Sequence, residues 1–170
     1  MRFRKEQGAT SRASFIALLV VAVVIIIASC SNVDCPFMNS VYTTYQIKDL
    51  EGKTDTLKDT LTVSIRKYNG VDTILLNKAV QKTSFDLPIS YIAPADTFFF
   101  HRYGDEMRVT DTVTVEKTNT PHFESVDCAP KYFHDITNVH FTQHGIEHIE
   151  IMKRKVTYEP QDHFYIVFKH

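Results

Sequence analysis

The stretch DTLTVSIRKYNGVDTILL, residues 59–76, decides the fold class. From Leu61 to Ile65 every second residue is apolar, which is the period of a half-buried β-strand. The dipeptide Asn69-Gly70 predicts a tight turn, because both residue types tolerate a positive φ. The run Thr73–Leu76 is expected to pair back onto the first strand. The stretch therefore predicts an antiparallel β-hairpin.

The same period of two recurs toward the end of the chain, in Thr112–Glu116 and His148–Ile151. The run Phe164–Phe168 is apolar on both faces, which places this last strand centrally in its sheet. Seven or eight short strands without a helical stripe predict an all-β domain over residues 41–170. We expect a two-sheet β-sandwich of immunoglobulin-like or similar type, after an N-terminal lipoprotein signal peptide.

The first 29 residues have the order of a secretory signal peptide. A basic segment, Met1–Arg12, precedes an apolar run from Phe15 to Ala28, which is short for a membrane span. The run ends in Ile27-Ala28-Ser29-Cys30, which resembles the lipobox of bacterial lipoproteins. That resemblance implies cleavage before Cys30 and attachment of lipid, palmitate included, to the new N-terminal cysteine. The alternative is an uncleaved membrane anchor over Ala13–Ser29.

The leader sets the domain organisation. We expect a signal peptide over residues 1–29, the lipidated cysteine and a short spacer over 30–40, and the β-sandwich over 41–170. Lipid on Cys30 would make the membrane the first partner and place the protein in the cell envelope. Ser31-Asn32 lacks the aspartate that retains some lipoproteins at the inner membrane, so by analogy the outer membrane is favoured.

Charge argues against one class of partner. Once the four basic and one acidic side chains of residues 1–29 are removed, 15 basic and 19 acidic groups remain. Because Lys and Arg supply most of the affinity for phosphate backbones, we expect no nucleic-acid binding.

The three cysteines are expected to have two different roles. With Cys30 assigned to lipid, Cys35 and Cys128 form an even pair, which in an exported protein indicates a disulfide. The bridge would close a loop of roughly 90 residues and stabilise the fold by ~4 kcal/mol in the chain-entropy model. Two free buried thiols are the alternative.

Histidine is concentrated in one stretch, which raises the question of a metal site. Residues at i and i+4 converge on a helix but lie roughly 13 Å apart on a strand. The β pattern around Gly145 favours strands and a turn, so we expect solvent-facing sheet histidines and no metal. The stretch holds His134, His140, His144 and His148, and the last three are the remaining metal candidates.

Other chemistry-bearing patterns have structural interpretations. Five Asp-Thr pairs are scattered along the chain and not clustered as in a calcium loop, so we expect them at strand entrances. No Gly-x-Ser-x-Gly elbow occurs. We therefore predict no cofactor and no enzymatic activity. The paired aspartates are Asp55, Asp59, Asp72, Asp96 and Asp111.

Phe98-Phe99-Phe100 puts aromatic side chains on both faces of a strand. A central strand buried on both faces is expected, and an exposed patch for a partner is the alternative. Asp96 before the run and His101-Arg102 after it indicate a strand that reaches the surface at both ends. The basic run Lys153–Lys155 is expected to solvate a turn or an edge.

Taken together, several segments resemble a family of small, uncharacterised envelope lipoproteins of Bacteroidota, classed as a domain of unknown function. The resemblance implies envelope location and fold, and it supplies no activity. Its segments are the lipobox cysteine with Cys35, Asp59–Val63, Ile74–Lys78, Phe85–Ile89, Pro121–Cys128 and Phe164–Phe168.

The sequence thus predicts a membrane-anchored binding or structural module, with a possible protein partner in the envelope. The alternative is an envelope hydrolase or metal-binding protein that uses residues 134–148.

Overall fold

The computed structural model describes residues 17–19, 41–66, 70–105 and 107–169. The chain divides into two compact units, Met1–Cys35 and Pro36–His170. In the first unit, Ala17–Leu19 are helical. No helix in the described part of the chain is both long and apolar enough to cross a membrane. The predicted signal-peptide cleavage site, the spacer, Cys30 and Cys35 lie outside the described residues.

The second unit is built of β-strands, of which the described residues form ten, more than the seven or eight expected. They are β1 (Tyr42–Lys48), β2 (Thr60–Arg66), β3 (Asp72–Ala79), β4 (Ser84–Pro88), β5 (Ala95–Tyr103), β6 (Arg108–His122), β7 (Lys131–Phe141), β8 (Ile146–Ile151), β9 (Lys155–Val156) and β10 (Asp162–Phe168).

The strands form two sheets, in the orders β4-β1-β10-β8 and β3-β2-β5-β6-β7-β9. The two-sheet, all-β prediction is confirmed, and β10 is central in its sheet as expected. Strand pairs are antiparallel except β1 and β10, which run parallel. The sheets have four and six strands, whereas those of a constant-type immunoglobulin domain have four and three, so this is a β-sandwich of the wider class.

The predicted hairpin is present as β2 and β3. Ile65 lies opposite Thr73, and Leu61 lies opposite Ala79. Gly70 has a φ of 77°, in the region that favours glycine. Asn69 lies outside the described residues.

Aromatic rings join the two sheets in the core. Tyr45 on β1 stacks on Phe85 and Phe164, with ring centroids 5.1 and 4.6 Å apart. Phe100, on β5 of the other sheet, meets the Tyr45 ring edge-on at 5.9 Å. All four side chains are buried, and each such burial contributes about 1.5–3 kcal/mol.

The Phe98–Phe100 strand, β5, is central as predicted. Phe98 and Phe100 are buried, whereas Phe99 on the other face is half-buried beneath the Arg66 guanidinium, 5.1 Å from the ring centroid. The prediction that β5 reaches the surface at Asp96 and Arg102 was wrong, although its last residue, Tyr103, is exposed. Asp96 and Arg102 are both buried, because each charge has partners within the fold.

Candidate functional site

One end of the sandwich gathers the start of β1 and three loops. Tyr42 at the start of β1 pairs with Pro88, so the loop after β4 begins there. Thr44 pairs with Asp162, so the loop before β10 also lies there. Glu116 on β6 pairs with Ala95, the first residue of β5. Because β6 continues beyond Glu116 to His122, the turn between β6 and β7 also lies at this end. We call this the entry end, because the chain enters the sandwich here.

A cavity of about 610 Å³ lies at the entry end. Its walls come from both sheets and from the loop between β9 and β10, and they are mainly apolar. Ligand pockets in proteins commonly have volumes of ~300–1,000 Å³. The cavity therefore has the size and lining of a small-molecule site. The cavity is lined by Val41, Tyr42, Thr44, Asp86, Glu124, Lys131, Thr157–Gln161 and His163.

An ammonium group is held at one wall of the cavity. Lys131 Nζ lies 4.8 Å from the centroid of the Tyr158 ring and 3.7 Å from Glu124 Oε1. The Lys131 side chain is only 6% exposed. The Tyr158 ring also meets Phe133 edge-on at 5.0 Å. This wall is therefore a fixed aromatic and ionic surface that accommodates a positive charge.

His163 supplies a buried polar group to the lining. Its Nδ1 accepts a hydrogen bond from the Thr44 backbone N–H at 3.1 Å, which assigns the ring hydrogen to Nε2. On its other side the ring faces the Lys155 backbone, and the residue is 1% exposed. Burial lowers the pKa of His163, so the ring is neutral near pH 7. It is therefore a neutral, enclosed part of the cavity wall.

The charges around the cavity are mostly negative. The carboxylates of Asp86, Glu124 and Glu159 outnumber the single ammonium of Lys131. Asp86 Oδ1 accepts a hydrogen bond from Thr44 Oγ1 at 2.7 Å. An anionic ligand is disfavoured by this balance, whereas a neutral or cationic one is not.

The four clustered histidines do not converge on one point. His140 Nε2 lies 3.4 Å from Glu116 Oε1, and the His144 backbone N–H donates to Asp111 at 2.7 Å. His148 meets the Phe141 ring edge-on. Among the described residues no group of three potential ligands could hold a metal ion. The candidates His140, His144 and His148 are thus not brought together.

His134 departs from the predicted solvent-facing position, because it is buried. Its Nδ1 lies 2.7 Å from Asn119 Oδ1, and Asn119 Nδ2 donates to the carbonyls of Tyr91 and Ala93. The amide orientation therefore makes His134 Nδ1 the donor. Burial, followed by the charge of Lys117, lowers the pKa of His134 to about 4. The histidine is a structural link that fixes a loop of the entry end.

Asp111 corrects the prediction that the Asp-Thr pairs stand at strand entrances. It lies inside β6, buried, where its carboxylate accepts from the backbone N–H groups of His144, Gly145 and Ile146. Thr142 Oγ1 donates a fourth bond. The carboxylate closes the β7–β8 turn at the far end of the sandwich, with no calcium site in the described part of the chain.

The basic run behaves as a turn and an edge, as predicted. Lys155 begins the edge strand β9, and Arg154 donates to the carbonyls of Ile136 and Thr137 at 2.8 Å. These bonds satisfy backbone acceptors along β7.

Comparison with protein families decides where the chain belongs. The model of a family of unknown function, DUF6452, matches residues 60–168. The chain belongs to this family. No curated protein and no solved structure matches it. The DUF6452 match spans β2 to β10 and so includes Glu124, Lys131 and His163 of the cavity. Val41–Thr44, which supply the wall from β1, precede it.

The cavity could not be predicted from the sequence, because its lining is assembled from distant segments. Thr44 and His163, which are hydrogen-bonded, are separated by 119 positions. His163 carried no local signal beyond its place at the start of the last strand. Cys128 was identified, and it lies in the β6–β7 loop, where its N–H donates to the Ser125 carbonyl. Its pairing with Cys35 stays a prediction.

Proposed function

We propose that the protein is an envelope lipoprotein of the Bacteroidota type, tethered through lipid on Cys30, whose sandwich binds a small amphipathic molecule at the entry end. The cavity of about 610 Å³ carries the proposal. Its role is binding rather than catalysis. We place the protein at the outer membrane, on the sequence that follows the lipobox cysteine.

The lining defines the ligand class. An apolar body would occupy the space between the two sheets, next to Val41 and Tyr158. Because carboxylates predominate around the cavity, the ligand is neutral or cationic overall.

The tether is supported by the sequence of the leader. An apolar run too short for an ordinary span ends in small residues and a cysteine. Two or three acyl chains anchor a protein firmly, whereas one binds only marginally. A tethered sandwich with its cavity at the entry end could receive a ligand from the envelope.

A pair of matched fluorescent probes tests ligand binding. Full-length lipidated protein in nanodiscs is titrated with N-phenylnaphthylamine, which is neutral, and with anilinonaphthalene sulfonate, which has a similar apolar body and a negative charge. Empty nanodiscs give the background. We expect saturable binding of the neutral probe and weaker binding of the sulfonate.

Two tyrosine variants locate the probe. Tyr158 and Tyr103 are similarly exposed, at 41% and 38%, but only Tyr158 lines the cavity. Tyr158→Ala is expected to weaken binding of the neutral probe roughly fivefold, since a lost aromatic contact is worth about 1 kcal/mol. Tyr103→Ala should leave it unchanged. Equal effects of the two variants, or no saturable binding by the wild type, would contradict the proposal.

A further inference from the structure

The entry end exposes more large apolar side chains than a solvated loop region needs. Ile92 is 79% exposed, Phe123 64% and Val126 98%, and Tyr91 is also exposed. They lie on two neighbouring loops, after β4 and between β6 and β7. Exposed apolar groups gathered in this way mark an interaction surface.

The loop after β4 is fixed to the strands that flank the second loop. The Tyr91 ring stacks on Tyr132 with centroids 5.1 Å apart. Asn119 on β6 donates to the Tyr91 and Ala93 carbonyls at 3.1 and 3.0 Å. Tyr91 and Ile92 are therefore presented from a loop that is bonded to β6 and β7.

The opposite end of the sandwich provides the comparison. Leu50, Val80 and Tyr103 are exposed there. Leu50 stands between Asp49 and Glu51, and an Arg108 guanidinium covers the Tyr103 ring at 5.3 Å. Among the described residues that end therefore exposes fewer large apolar side chains than the entry end does.

We infer that the entry end docks onto the surface of the bilayer that holds the lipid, with Ile92, Phe123 and Val126 among the headgroups. The inference rests on the proposed lipid tether. Cys30 precedes Val41 by 11 positions (41 minus 30), a span of at most roughly 40 Å. Val41, where the described part of the domain begins, lies at the same end as the apolar loops. Tyr42, Tyr91 and Tyr158 are exposed at this end. Aromatic rings with a polar tip are enriched at membrane interfaces.

Charge selects the kind of bilayer. The entry-end loops carry the carboxylates of Glu124, Asp127 and Glu159, and against them the ammonium of Lys131 and the basic run Lys153–Lys155, which follows β8 at this end. Because the two signs nearly balance, these loops lack the excess of basic side chains that draws a protein to anionic lipid. The partner is thus a zwitterionic phospholipid surface.

Because the chain contains no tryptophan, a single introduced tryptophan reports its own depth. The variants Ile92→Trp and Phe123→Trp, with Leu50→Trp as the control of similar exposure, are made in the full lipidated chain. Each is reconstituted into phosphatidylcholine vesicles with and without brominated acyl chains, and flotation of the protein with the vesicles is measured in parallel.

The expected result is that bromine removes about half or more of the fluorescence at positions 92 and 123, where the rings reach the interface, and leaves position 50 unchanged. A protein that floats with the vesicles but shows no quenching at 92 and 123, or equal quenching at 50, overturns the docking inference and leaves the tether intact. If the full chain carries no lipid and does not float, both the tether and the docking are overturned.

Discussion

Lys117 Nζ and Asp96 Oδ2 lie 2.9 Å apart, and their side chains are 0% and 3% exposed. Lys117 Nζ also donates to the Ala93 carbonyl at 2.8 Å, and Asp96 Oδ2 accepts from the Ser90 N–H at 2.9 Å. The pair thus links β5 and β6 to the loop that carries the exposed Ile92. The pair therefore holds the loop after β4 in place at the entry end.

Breaking this pair is expected to destabilise the fold strongly. Lys117→Met leaves the Asp96 carboxylate buried without its cation, which costs about 3–5 kcal/mol in the free energy of unfolding. Urea denaturation measures the loss. The control is Arg66→Met, which breaks an ion pair of the same 2.9 Å length whose side chains are 58% and 48% exposed. Such a surface pair is worth about 1 kcal/mol or less, so equal losses would refute the role of burial.

Arg102 closes the far end of the sandwich and should not tolerate lysine. Its guanidinium pairs with Asp59 and donates to the carbonyls of Gly145 and Lys169 at 2.7 and 3.0 Å. A lysine ammonium cannot reproduce this planar arrangement, so Arg102→Lys is expected to cost roughly 2–4 kcal/mol. Arg108→Lys, on an exposed side chain, should change the urea midpoint little. A tolerated Arg102→Lys would show that the bonds contribute little.

Stability should fall in acid partly through His134. Its folded-state pKa of about 4 lies below the ordinary value of 6.5, so the unfolded chain binds the proton more tightly. The contribution is fully present above pH 6.5 and is lost as the pH falls toward 4. Denaturation across this range should show a smaller loss in His134→Gln than in the wild type, each relative to pH 7. The exposed control His140→Gln should keep the wild-type dependence, and identical curves for all three would contradict the assignment.

The predicted Cys35–Cys128 disulfide has a direct test. Non-reducing peptide mass mapping of protein from the envelope should find the two cysteines in one linked peptide pair. Reduction should then lower the free energy of unfolding by ~4 kcal/mol, since the bridge closes a loop of roughly 90 residues. Two peptides that alkylate without reduction would show free thiols instead.

The sequence predicts the parts of the fold that have a local sequence pattern. Alternating residues around Leu61 and a turn at Gly70 predict β2 and β3, and the doubly apolar Phe164–Phe168 predicts a central strand. The parallel pairing of β1 with β10 has no local signature, because its register depends on packing across the whole chain.

The burial of polar side chains was harder to predict from the sequence, because it depends on partners that lie far away along the chain. The period of two tells which face a residue occupies, but not whether a charge on that face has a partner. His134 was expected in solvent because Asn119, 15 positions away, could not be placed beside it. Asp96 and Arg102 were expected at the surface because their partners, Lys117 and Asp59, lie on other strands or loops.

The membrane tether is tested most directly by labelling with radioactive palmitate in cells that express the full chain. We predict that the wild type and Cys128→Ser incorporate label, while Cys30→Ser incorporates none and keeps its leader. The Cys128→Ser control removes a different cysteine and leaves the lipobox unchanged. An unlabelled wild type, or label that persists in Cys30→Ser, would contradict the tether.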